Sequence, residues 1–549
     1  MEQFQADIVI IGGGLGGCAA ALAAAESGRT VLLTEATDWI GGQATAQLVP
    51  PDEHGWIEWF GRTASYQRFR HLVREHYREN FPLLPHVAAL ESLNPGNAWV
   101  SPLAHEPRVA WQVLNEMLAP HVAAGRLRIF LHHAPVGVSH ASADLLAGVT
   151  VEHLPTGEQK QLRGEYLVDA TELGDLLELG GVEHVTGQES HAQTGEPDAP
   201  AAARPDNWQA FTWCFAVEHI AGRNFVGPPP EDYARWIDYQ FPITPPWPGK
   251  LLAFHGLNPR TGSQIDYRFA PNPSAQPHGT IDRTLWTYRR ILDRSLYIDG
   301  AFASDVTVIN WPMNDYIEGR LHHPSAESRH TAQHESRQLS LALLHWLQTE
   351  APRPDGGRGW PGLRLCPWIT GTRDGLAKAP YIRESRRLQA EFTVCQQMIS
   401  PDFQPAGADR ATPFADSVGV GSYRIDLHPS TGGDNFIDVA TLPFQIPLGA
   451  LIPVRVENVL PAAKNIGTTH ITNGCYRLHP VEWNIGEAAG ALAAFCLNHK
   501  ISPRQVLRAQ AWREDFQTML VARGVELAWP ETIDLAEGDP HRHAQIPPA

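Results

Sequence analysis

The sequence predicts an α/β fold in which helices cover a parallel sheet, with an α+β domain inserted into it. Two observations carry this prediction. An apolar strand, an alanine-rich helix and a second apolar strand follow one another within residues 7–35, and apolar strands that lead into small-residue segments return at 166–175 and 459–496. We expect about two or three domains, because 549 residues are too many for a single hydrophobic core.

Residues 7–35 predict a Rossmann-like dinucleotide-binding unit. The strand at 8–11 ends at Gly12, which with Gly14 and Gly17 forms G-x-G-x-x-G. Gly12 allows the turn, Gly14 lets the backbone approach a pyrophosphate, and Gly17 lets the helix lie on the sheet. The diphosphate would lie at the N-terminus of the helix. Glu35 ends the second strand, where it can accept hydrogen bonds from a ribose diol; the alternative is a glycine-rich turn without a ligand.

The residues after Glu35 favour FAD over NAD. Gly41-Gly42-Gln43 permits a second close approach of the backbone, which the longer FAD molecule needs. Gly419-Val420-Gly421 does not continue as a second dinucleotide motif, because the third glycine is missing. In this part of the chain we predict cofactor contacts from Gly12, Gly14, Leu15, Gly16, Gly17, Glu35, Ala36, Gly41, Gly42 and Gln43.

The next elements are predicted from periodicity and turn residues. Residues 56–80 and 108–124 are interpreted as helices, and 127–132 as a strand. An antiparallel pair is expected within 136–168, with Thr156-Gly157 as its turn. The strand at 166–169 then runs into Ala170, Thr171, Gly174 and Asp175, a pattern that fits a contact with the dinucleotide or, alternatively, an ordinary capped loop.

The middle of the chain predicts a substrate domain. Residues 190–280 are rich in proline, tryptophan and polar residues, and 306–316 read as a strand that runs into a polar loop. A long helix is predicted over 324–349 and a basic helical face over 379–398, where a salt-bridged surface is the alternative to an anion site. Residues 436–453 are predicted to return as strands, and 530–549 to form a loose tail.

The C-terminal third contains a second informative stretch, at 465–496. A polar loop is predicted to hold His470, Asn473, Arg477, His479 and Glu482. After it, a small-residue helix starting near residue 484 would pack on the first unit and direct its N–H groups at the flavin. A buried alanine- and glycine-rich helix without a ligand is the alternative. The predicted contacts there are Asn484, Ile485 and Gly486.

Six segments together carry a resemblance to a known family: IGGGLGG (11–17), Glu35 with Gly41-Gly42, VDATELGD (168–175), NWPMNDY (310–316), PYIRESRR (380–387) and RLHPVEWNIGEAAG (477–490). The chain resembles the FAD-dependent oxidoreductase family of glutathione-reductase-like flavoproteins, related to the fumarate reductase and succinate dehydrogenase flavoprotein group. The resemblance implies FAD, a discontinuous FAD-binding domain and an inserted substrate domain, without a substrate. It further implies cofactor contacts from Val136, Ala170, Thr171 and Asp175. Glu172-Leu173 departs from the usual DATGDGD pattern.

These segments predict the domain boundaries. The discontinuous FAD-binding domain comprises 1–60, 125–205 and 455–505. A helical insertion covers 61–124, a substrate or cap domain with a helical segment at 324–400 covers 206–454, and 506–549 form a C-terminal extension.

The chemistry of a flavin enzyme indicates which side chains to consider. Oxidation of an alcohol, amine or C–C bond needs a base near the hydride-donating carbon, and flavin itself carries the redox step. His479 is the first candidate base and His470 the second, while Arg477 would hold a carboxylate or a developing oxyanion. Weaker substrate candidates are Asn310, Asn314 and Tyr316.

We therefore predict an FAD-dependent dehydrogenase or oxidase that takes a hydride from a small polar metabolite, a sugar or a hydroxy acid. A flavin-dependent monooxygenase or an ene-reductase is the alternative, and an RNA-modifying flavoprotein is a hypothesis from a different class. The formal net charge of −17 argues against nucleic acid as a partner. We expect no membrane span, no metal site from the six scattered cysteines, and a cytoplasmic location; the sequence leaves open whether the chain forms a homo-oligomer.

Overall fold

The computed structural model describes residues 1–274 and 283–535, so part of the predicted tail (536–549) and residues 275–282 of the predicted substrate domain lie outside the described residues. The strands are β1 (Glu2–Gln5), β2 (Ile8–Ile11), β3 (Val31–Glu35), β4 (Leu127–Leu131), β5 (His133–Ser142), β6 (Leu145–His153), β7 (Glu158–Arg163), β8 (Tyr166–Asp169), β9 (His184–Val185), β10 (Phe211–Thr212), β11 (Phe215–His219), β12 (His255–Leu257), β13 (Gln264–Asp266), β14 (Arg290–Leu292), β15 (Val306–Ile309), β16 (Asp315–Tyr316), β17 (Leu363–Leu365), β18 (Arg387–Leu388), β19 (Ser417–Gly421), β20 (Ile425–Leu427), β21 (Ile437–Val439), β22 (Phe444–Pro447) and β23 (Val459–Pro461). The helices are α1 (Leu15–Glu26), α2 (Ala64–Asn80), α3 (Pro85–Ala88), α4 (Pro107–Ala123), α5 (Asp175–Leu179), α6 (His191–Thr194), α7 (Tyr233–Trp236), α8 (Leu285–Tyr288), α9 (Ala326–Thr349), α10 (Pro367–Thr370), α11 (Gln396–Ile399), α12 (His470–Tyr476), α13 (His479–His499), α14 (Pro503–Arg508) and α15 (Gln510–Ala522).

A five-stranded parallel sheet with the order β23-β8-β2-β3-β4 forms the centre of the fold. Ile8 of β2 lies beside Val31 of β3 and Tyr166 of β8, and β23 pairs with β8 on the far side. Every residue of β2, β3 and β8 is buried, as expected for parallel strands covered on both faces. Segments from the beginning, the second hundred and the end of the chain thus build one α/β sheet.

Helices α1 and α13 pack against each other beside this sheet. Both consist largely of alanine and glycine, and residues 15–25 of α1 are all buried. A Cβ atom on Gly486 would lie 2.0 Å from the carbonyl oxygen of Gly16, and one on Gly490 would lie 2.2 Å from that of Ala20. The two helix backbones therefore approach so closely that only glycine fits at these positions.

The remaining strands form smaller sheets. One has the order β1-β7-β6-β5 and includes the predicted hairpin around residues 156–157, and another has the antiparallel order β14-β15-β11-β17. Helix α9 contacts β16 and β17. In the described ranges, no helix combines the length and the apolar character that a membrane span requires.

Three predicted helix boundaries are wrong. The helix predicted over 56–80 begins at Ala64, because the Thr63 side chain accepts the N–H of Tyr66 and caps it. The helical segment predicted over 324–400 ends with α9 at Thr349, apart from the short α10 and α11. Its basic stretch at 379–398 is mainly extended, and its arginines are buried because each meets a carboxylate from another part of the chain.

The third correction concerns the C-terminal stretch. Part of the predicted polar loop is helix α12, whose N-cap Thr469 accepts the N–H of Thr472. The helix predicted to start near residue 484 is α13, which begins at His479 because Pro480 is tolerated in a first helical turn. This shift moves the free N-terminal end of α13 from Asn484 to residues 479–482.

Candidate active site

The glycine-rich turn has the geometry that its sequence predicts. Gly12 has φ +100°, and a Cβ atom on it would lie 2.2 Å from the carbonyl oxygen of Ala170. A Cβ atom on Gly17 would lie 2.0 Å from the carbonyl oxygen of Gly12. Gly14 is the N-cap of α1 and has no side chain to satisfy the first turn. The N–H groups at this helix end are therefore directed at whatever lies above the turn.

The loop after β3 returns to this turn. The N–H of Gly41 donates to the carbonyl oxygen of Gly13 at 2.7 Å, and Gly41 and Gly42 have φ of +109° and +48°. A Cβ atom on Gly42 would lie 2.9 Å from the Cα atom of Gly14. The Gly41-Gly42 loop therefore lies directly against the glycine-rich turn and brings Gln43 next to the N-terminus of α1, while its predicted close approach to FAD stays a prediction.

Glu35 lies at the end of β3, immediately before Ala36. Its Oε2 accepts the N–H of Gly13 at 3.0 Å, and its Oε1 accepts the N–H and hydroxyl of Thr37 at 2.8 and 2.9 Å. Burial raises the pKa of Glu35. The carboxylate therefore links the glycine-rich turn to the end of β3, where a ribose would bind.

Four polar side chains meet at the N-terminus of α1: Gln43, Glu172, Lys464 and Glu482. The Oε1 of Glu482 accepts the N–H of Gly16 at 3.2 Å, the carboxamide of Gln43 donates to its Oε2, and Lys464 forms an ion pair with Glu172. Burial, together with the charge of Glu172, raises the pKa of Glu482 to about 7. An acidic group thus lies where α1 favours an anion.

The other predicted cofactor residues lie at different distances from this turn. The carbonyl group of Ala170 faces Gly12, and the Thr171 hydroxyl donates to Asp169 at 2.7 Å while accepting the N–H of Asp175 at 2.7 Å. Val136 lies on β5 and is 42% exposed. Their contacts with a cofactor stay predictions.

The second turn of α13 is engaged in packing. The Nδ2 of Asn484 donates to the carbonyl oxygen of Val418 at 3.1 Å, and its Oδ1 accepts the N–H of Val420 at 3.4 Å. Ile485 is fully buried, and Gly486 faces Gly16. These three residues hold α13 against β19 and α1, and the first turn of α13 presents the open N–H groups.

His479 uses both ring nitrogens for the backbone. Its Nδ1 accepts the N–H of Asp52 at 3.2 Å, so its Nε2 carries the proton and donates to the carbonyl oxygen of Val49 at 3.1 Å. Burial lowers the pKa of His479 to about 4. In this arrangement neither nitrogen is free to accept a proton from a substrate, and His479 fixes the loop at 49–52.

Arg477 and His470 belong to separate networks. Arg477 donates to the Tyr381 hydroxyl at 2.9 Å and to the carbonyl oxygen of Asp426 at 3.0 Å. The Nδ1 of His470 lies 2.9 Å from the Oε1 of Glu384, which also accepts from Arg387 at 2.7 Å. Burial opposes ionisation of Glu384, but the charges of His470 and Arg387 lower its pKa to about 2.

A histidine that the sequence analysis missed lies next to Arg477. The Nδ1 of His428 is 2.6 Å from the Oδ2 of Asp315, whose Oδ1 accepts from the Thr212 hydroxyl at 2.5 Å and lies 3.2 Å from Arg383. Burial raises the pKa of Asp315, but the charges of Arg383 and His428 outweigh it and hold the pKa below its usual value. The ionised Asp315 can accept a proton from Nδ1 of His428, and in the neutral form of the ring Nε2 is then the acceptor.

We call Asp315, Tyr381, Asp426, His428 and Arg477 the polar cluster. The Nε2 of His428 lies 3.7 Å from the Oδ2 of Asp426, which lies 3.4 Å from Arg477. Asp315 and His428 are 113 positions apart in the sequence, which explains why no sequence motif shows the pair.

Arg289 connects this region to α13. Its guanidinium group forms a two-pronged ion pair with Asp52, at 2.9 and 3.3 Å, and the N–H of Asp52 binds His479. The charges of Arg477, Asp52 and Arg289 all act on the buried Tyr381. Asp52 thus links Arg289 to the first turn of α13, and the carboxamide of Gln43 links Arg477 to the same turn by donating to the carbonyl oxygen of Arg477 and to Glu482.

The structure separates the three weaker substrate candidates. The Oδ1 of Asn310 accepts from Arg383 at 3.1 Å, next to the polar cluster. Asn314 caps its own turn by accepting the N–H of Trp311 at 2.9 Å. The Tyr316 hydroxyl donates to Glu335 at 2.5 Å, and Tyr316 lines a cavity of about 890 Å³ whose lining includes no residue of the polar cluster.

We compared the chain with protein families and with known proteins. The family model for the FAD dependent oxidoreductases matches residues 7–520. No curated protein matches the chain. A geranylgeranyl bacteriochlorophyll reductase-like protein from Thermoplasma acidophilum is 10% identical over 95% of this chain and 85% of its own, with a TM-score of 0.32. An anhydrotetracycline hydroxylase from Streptomyces rimosus is 11% identical over 95% and 68%, with a TM-score of 0.34.

Other solved structures match a smaller part of the chain. An adenosine-5-phosphosulfate reductase in complex with sulfite is 18% identical over 31% of this chain and 30% of its own, with a TM-score of 0.22. The chain thus spans about a third of the length of such structures.

Proposed function

We propose, because this chain belongs to the FAD dependent oxidoreductase family, that it is a dehydrogenase or oxidase acting on a small polar metabolite. FAD is its cofactor and, when bound, accepts the hydride. One observation carries the proposal for the substrate side. Arg477 of the polar cluster is joined to the first turn of α13 through Gln43, whose carboxamide donates to the carbonyl oxygen of Arg477 and to Glu482, and Glu482 in turn accepts the N–H of Gly16 at the glycine-rich turn.

The residues at the glycine-rich turn fit a dinucleotide. Gly12 and Gly17 leave no space for a side chain, and Gly14 leaves the helix N-terminus uncapped. A carboxylate oxygen already accepts the N–H of Gly16, so this helix end accepts an anionic group. We infer that Gly14, Leu15 and Gly16 would hold the diphosphate with Lys464 nearby, and that Glu35 would bind the ribose.

We infer that His428 is the base for the substrate. Its Nε2 is the acceptor nitrogen, and its ring is fixed by the buried Asp315, so it can hold the proton of a substrate hydroxyl. This proposal replaces the predicted role of His479, whose nitrogens both bind the backbone. His479 then acts by holding the 49–52 loop.

Arg477 and Tyr381 would orient an oxygen-bearing group of the substrate. Within the described ranges, the Nε atoms of Arg289, Arg383 and Arg477 are buried donors without a hydrogen-bond acceptor. Three such donors around one site favour a carboxylate-bearing substrate, because guanidinium groups match carboxylates. We therefore propose a hydroxy acid ahead of a neutral sugar. Several of these residues come from the predicted inserted domain at 206–454, which we propose as the substrate side.

Anaerobic reduction of the purified holoenzyme tests this function. Its flavin absorbance would be followed with a panel of hydroxy acids, their methyl esters and aldoses. Bleaching by a hydroxy acid and not by its ester supports the proposal. Bleaching by aldoses alone contradicts the carboxylate preference, and reduction by NADPH with none of these compounds active favours a monooxygenase or an ene-reductase.

A further inference from the structure

The N-terminus of α1 holds an unusual buried charge group for a cofactor site. Glu482, in the first turn of α13, places its Oε1 3.2 Å from the N–H of Gly16. A Cβ atom on Gly14 would lie 3.2 Å from the same oxygen, so the carboxyl group lies directly over the glycine-rich turn. A diphosphate placed on this turn meets Glu482 first.

The surroundings keep Glu482 where it is. The carboxamide of Gln43 donates to its Oε2 and also to the carbonyl oxygen of Arg477 at 2.9 Å. Glu482 is 1% exposed, and its backbone lies against Gly16 in the packed α1–α13 contact. Water therefore does little to screen this carboxyl group from a second anion.

Most of the charged groups around the Glu482 carboxyl group are acidic. Glu172, from the loop after β8, acts on it with the same charge, and Lys464, from the loop after β23, acts with the opposite one. Glu35 lies at the end of β3, and its charge acts together with that of Glu482 on the buried Cys18 of α1. Lys464 is already paired with Glu172 and also faces Tyr381.

We propose that FAD binding is coupled to the uptake of one proton by Glu482. The doubly charged diphosphate and an ionised Glu482 would share the same N–H groups, and two buried like charges in contact disfavour each other strongly. A proton taken from solvent by Glu482 removes this repulsion and leaves the packing of α13 unchanged. The inference concerns cofactor binding alone and does not depend on the substrate proposed above.

The direction of the pH dependence follows. The pKa of Glu482 is already raised to about 7 by burial and by Glu172, and a bound diphosphate raises it further. Below about pH 7 the carboxyl group is protonated before FAD binds. Above it the proton must be taken up, so affinity for FAD falls about tenfold for each pH unit until the pKa of the FAD-bound state is reached.

The test measures the dissociation constant of FAD by diluting the holoenzyme and recording released flavin fluorescence from pH 6 to 9. For the wild-type protein we expect the constant to rise up to about a hundredfold between pH 7 and 9. Glu482→Gln is expected to give a flat curve and tighter binding than wild type at pH 9. Glu482→Ala, which suits the alanine-rich helix, is the second variant should the glutamine variant fold poorly.

The matched control is Glu487→Gln, in a buried position on the same helix, where the carboxylate contacts Ser65. It is expected to keep the wild-type slope. A wild-type constant that does not change with pH overturns the proposal whatever the variants do. The same slope in both Glu482 variants overturns it as well, and so does weaker FAD binding by both at every pH. Activity with any substrate has no part in these outcomes, so they are distinct from a failure of the proposed function.

Discussion

The proposed cofactor side and the proposed substrate side of this molecule are built in different ways. At the glycine-rich turn, the decisive features are missing side chains: Gly12, Gly16 and Gly486 each have backbone atoms within about 2 Å of where a Cβ atom would be. In the polar cluster, the decisive features are side chains, such as His428 and Arg477, that meet through hydrogen bonds and ion pairs. Changes on the first side should therefore act through sterics and stability, and those on the second through rates and pH dependence.

The largest expected effect tests the steric half of this comparison. Gly486→Ala would place a methyl group 2.0 Å from the carbonyl oxygen of Gly16, so α13 must move off α1. We expect a loss of about 3 kcal/mol or more in unfolding free energy, together with loss of bound FAD. Urea unfolding and the flavin content of the purified protein measure both.

Gly227→Ala is the matched control, since nothing lies within 4 Å of its Cβ position. Its stability should stay within about 0.5 kcal/mol of wild type. A Gly486 variant as stable as this control would mean that the α1–α13 contact is not as tight as described.

The second prediction separates the two histidines. His428→Asn removes the acceptor nitrogen, and we expect the rate of flavin reduction to fall about 100- to 10,000-fold. His479→Asn should instead lower the melting temperature, because it loses hydrogen bonds to Asp52 and Val49. Stopped-flow reduction, with the donor found in the panel above, gives the rates over pH 5–9.

In that experiment the limb of the pH profile due to the base should disappear in the His428 variant and persist in the His479 variant. The reverse pattern would restore His479 as the base and reject the assignment of His428.

The third prediction concerns the ion pairs that border both sides. Glu384 has its pKa held near 2, below the usual value of 4.5, because His470 and Arg387 stabilise its charge more than burial opposes it. Its contribution is therefore fully present above about pH 4.5 and is lost as the pH falls through about 2; the difference in pKa corresponds to roughly 3 kcal/mol. Glu384→Gln should cost about that much at pH 7 and much less near pH 2.

Chemical denaturation at several pH values measures this difference. The control is Glu158→Gln, the exposed first residue of β7, which should stay within about 0.5 kcal/mol of wild type throughout. A Glu384 variant whose cost does not change with pH would show that the carboxylate is not stabilised as an ion.

The smallest expected effect divides two asparagines that the sequence treats alike. Asn310→Ala removes one hydrogen bond to Arg383, so we expect the donor concentration for half-maximal reduction to rise about three- to tenfold. Asn314→Ala removes the cap on the Trp311 turn and should lower the melting temperature while leaving that concentration unchanged. If both variants raised the donor concentration for half-maximal reduction equally, the distinction drawn between the two asparagines would be wrong.

Local patterns predicted the cofactor side well. The turn at Gly12, the loop at Gly41-Gly42 and the strand before Glu35 lie within one short stretch, where residue type fixes backbone shape directly. The basic run at 379–398 shows the limit of this reasoning. Its charges suggested a solvated helix, yet Arg383 and Arg387 are buried, because the carboxylates of Asp315 and Glu189 from distant segments pair with them.

The sequence by itself thus determined the dinucleotide unit, the family and FAD, since glycine spacing and strand–helix–strand order are local and steric. The tertiary structure alone decided which histidine meets a buried aspartate, where α13 begins, and which acid lies over the turn. His428 with Asp315, and Glu482 with Gly16, are pairs separated by more than a hundred residues. The charge, burial and hydrogen bonding of such groups depend on how remote segments pack together, and no pattern within one segment specifies that packing.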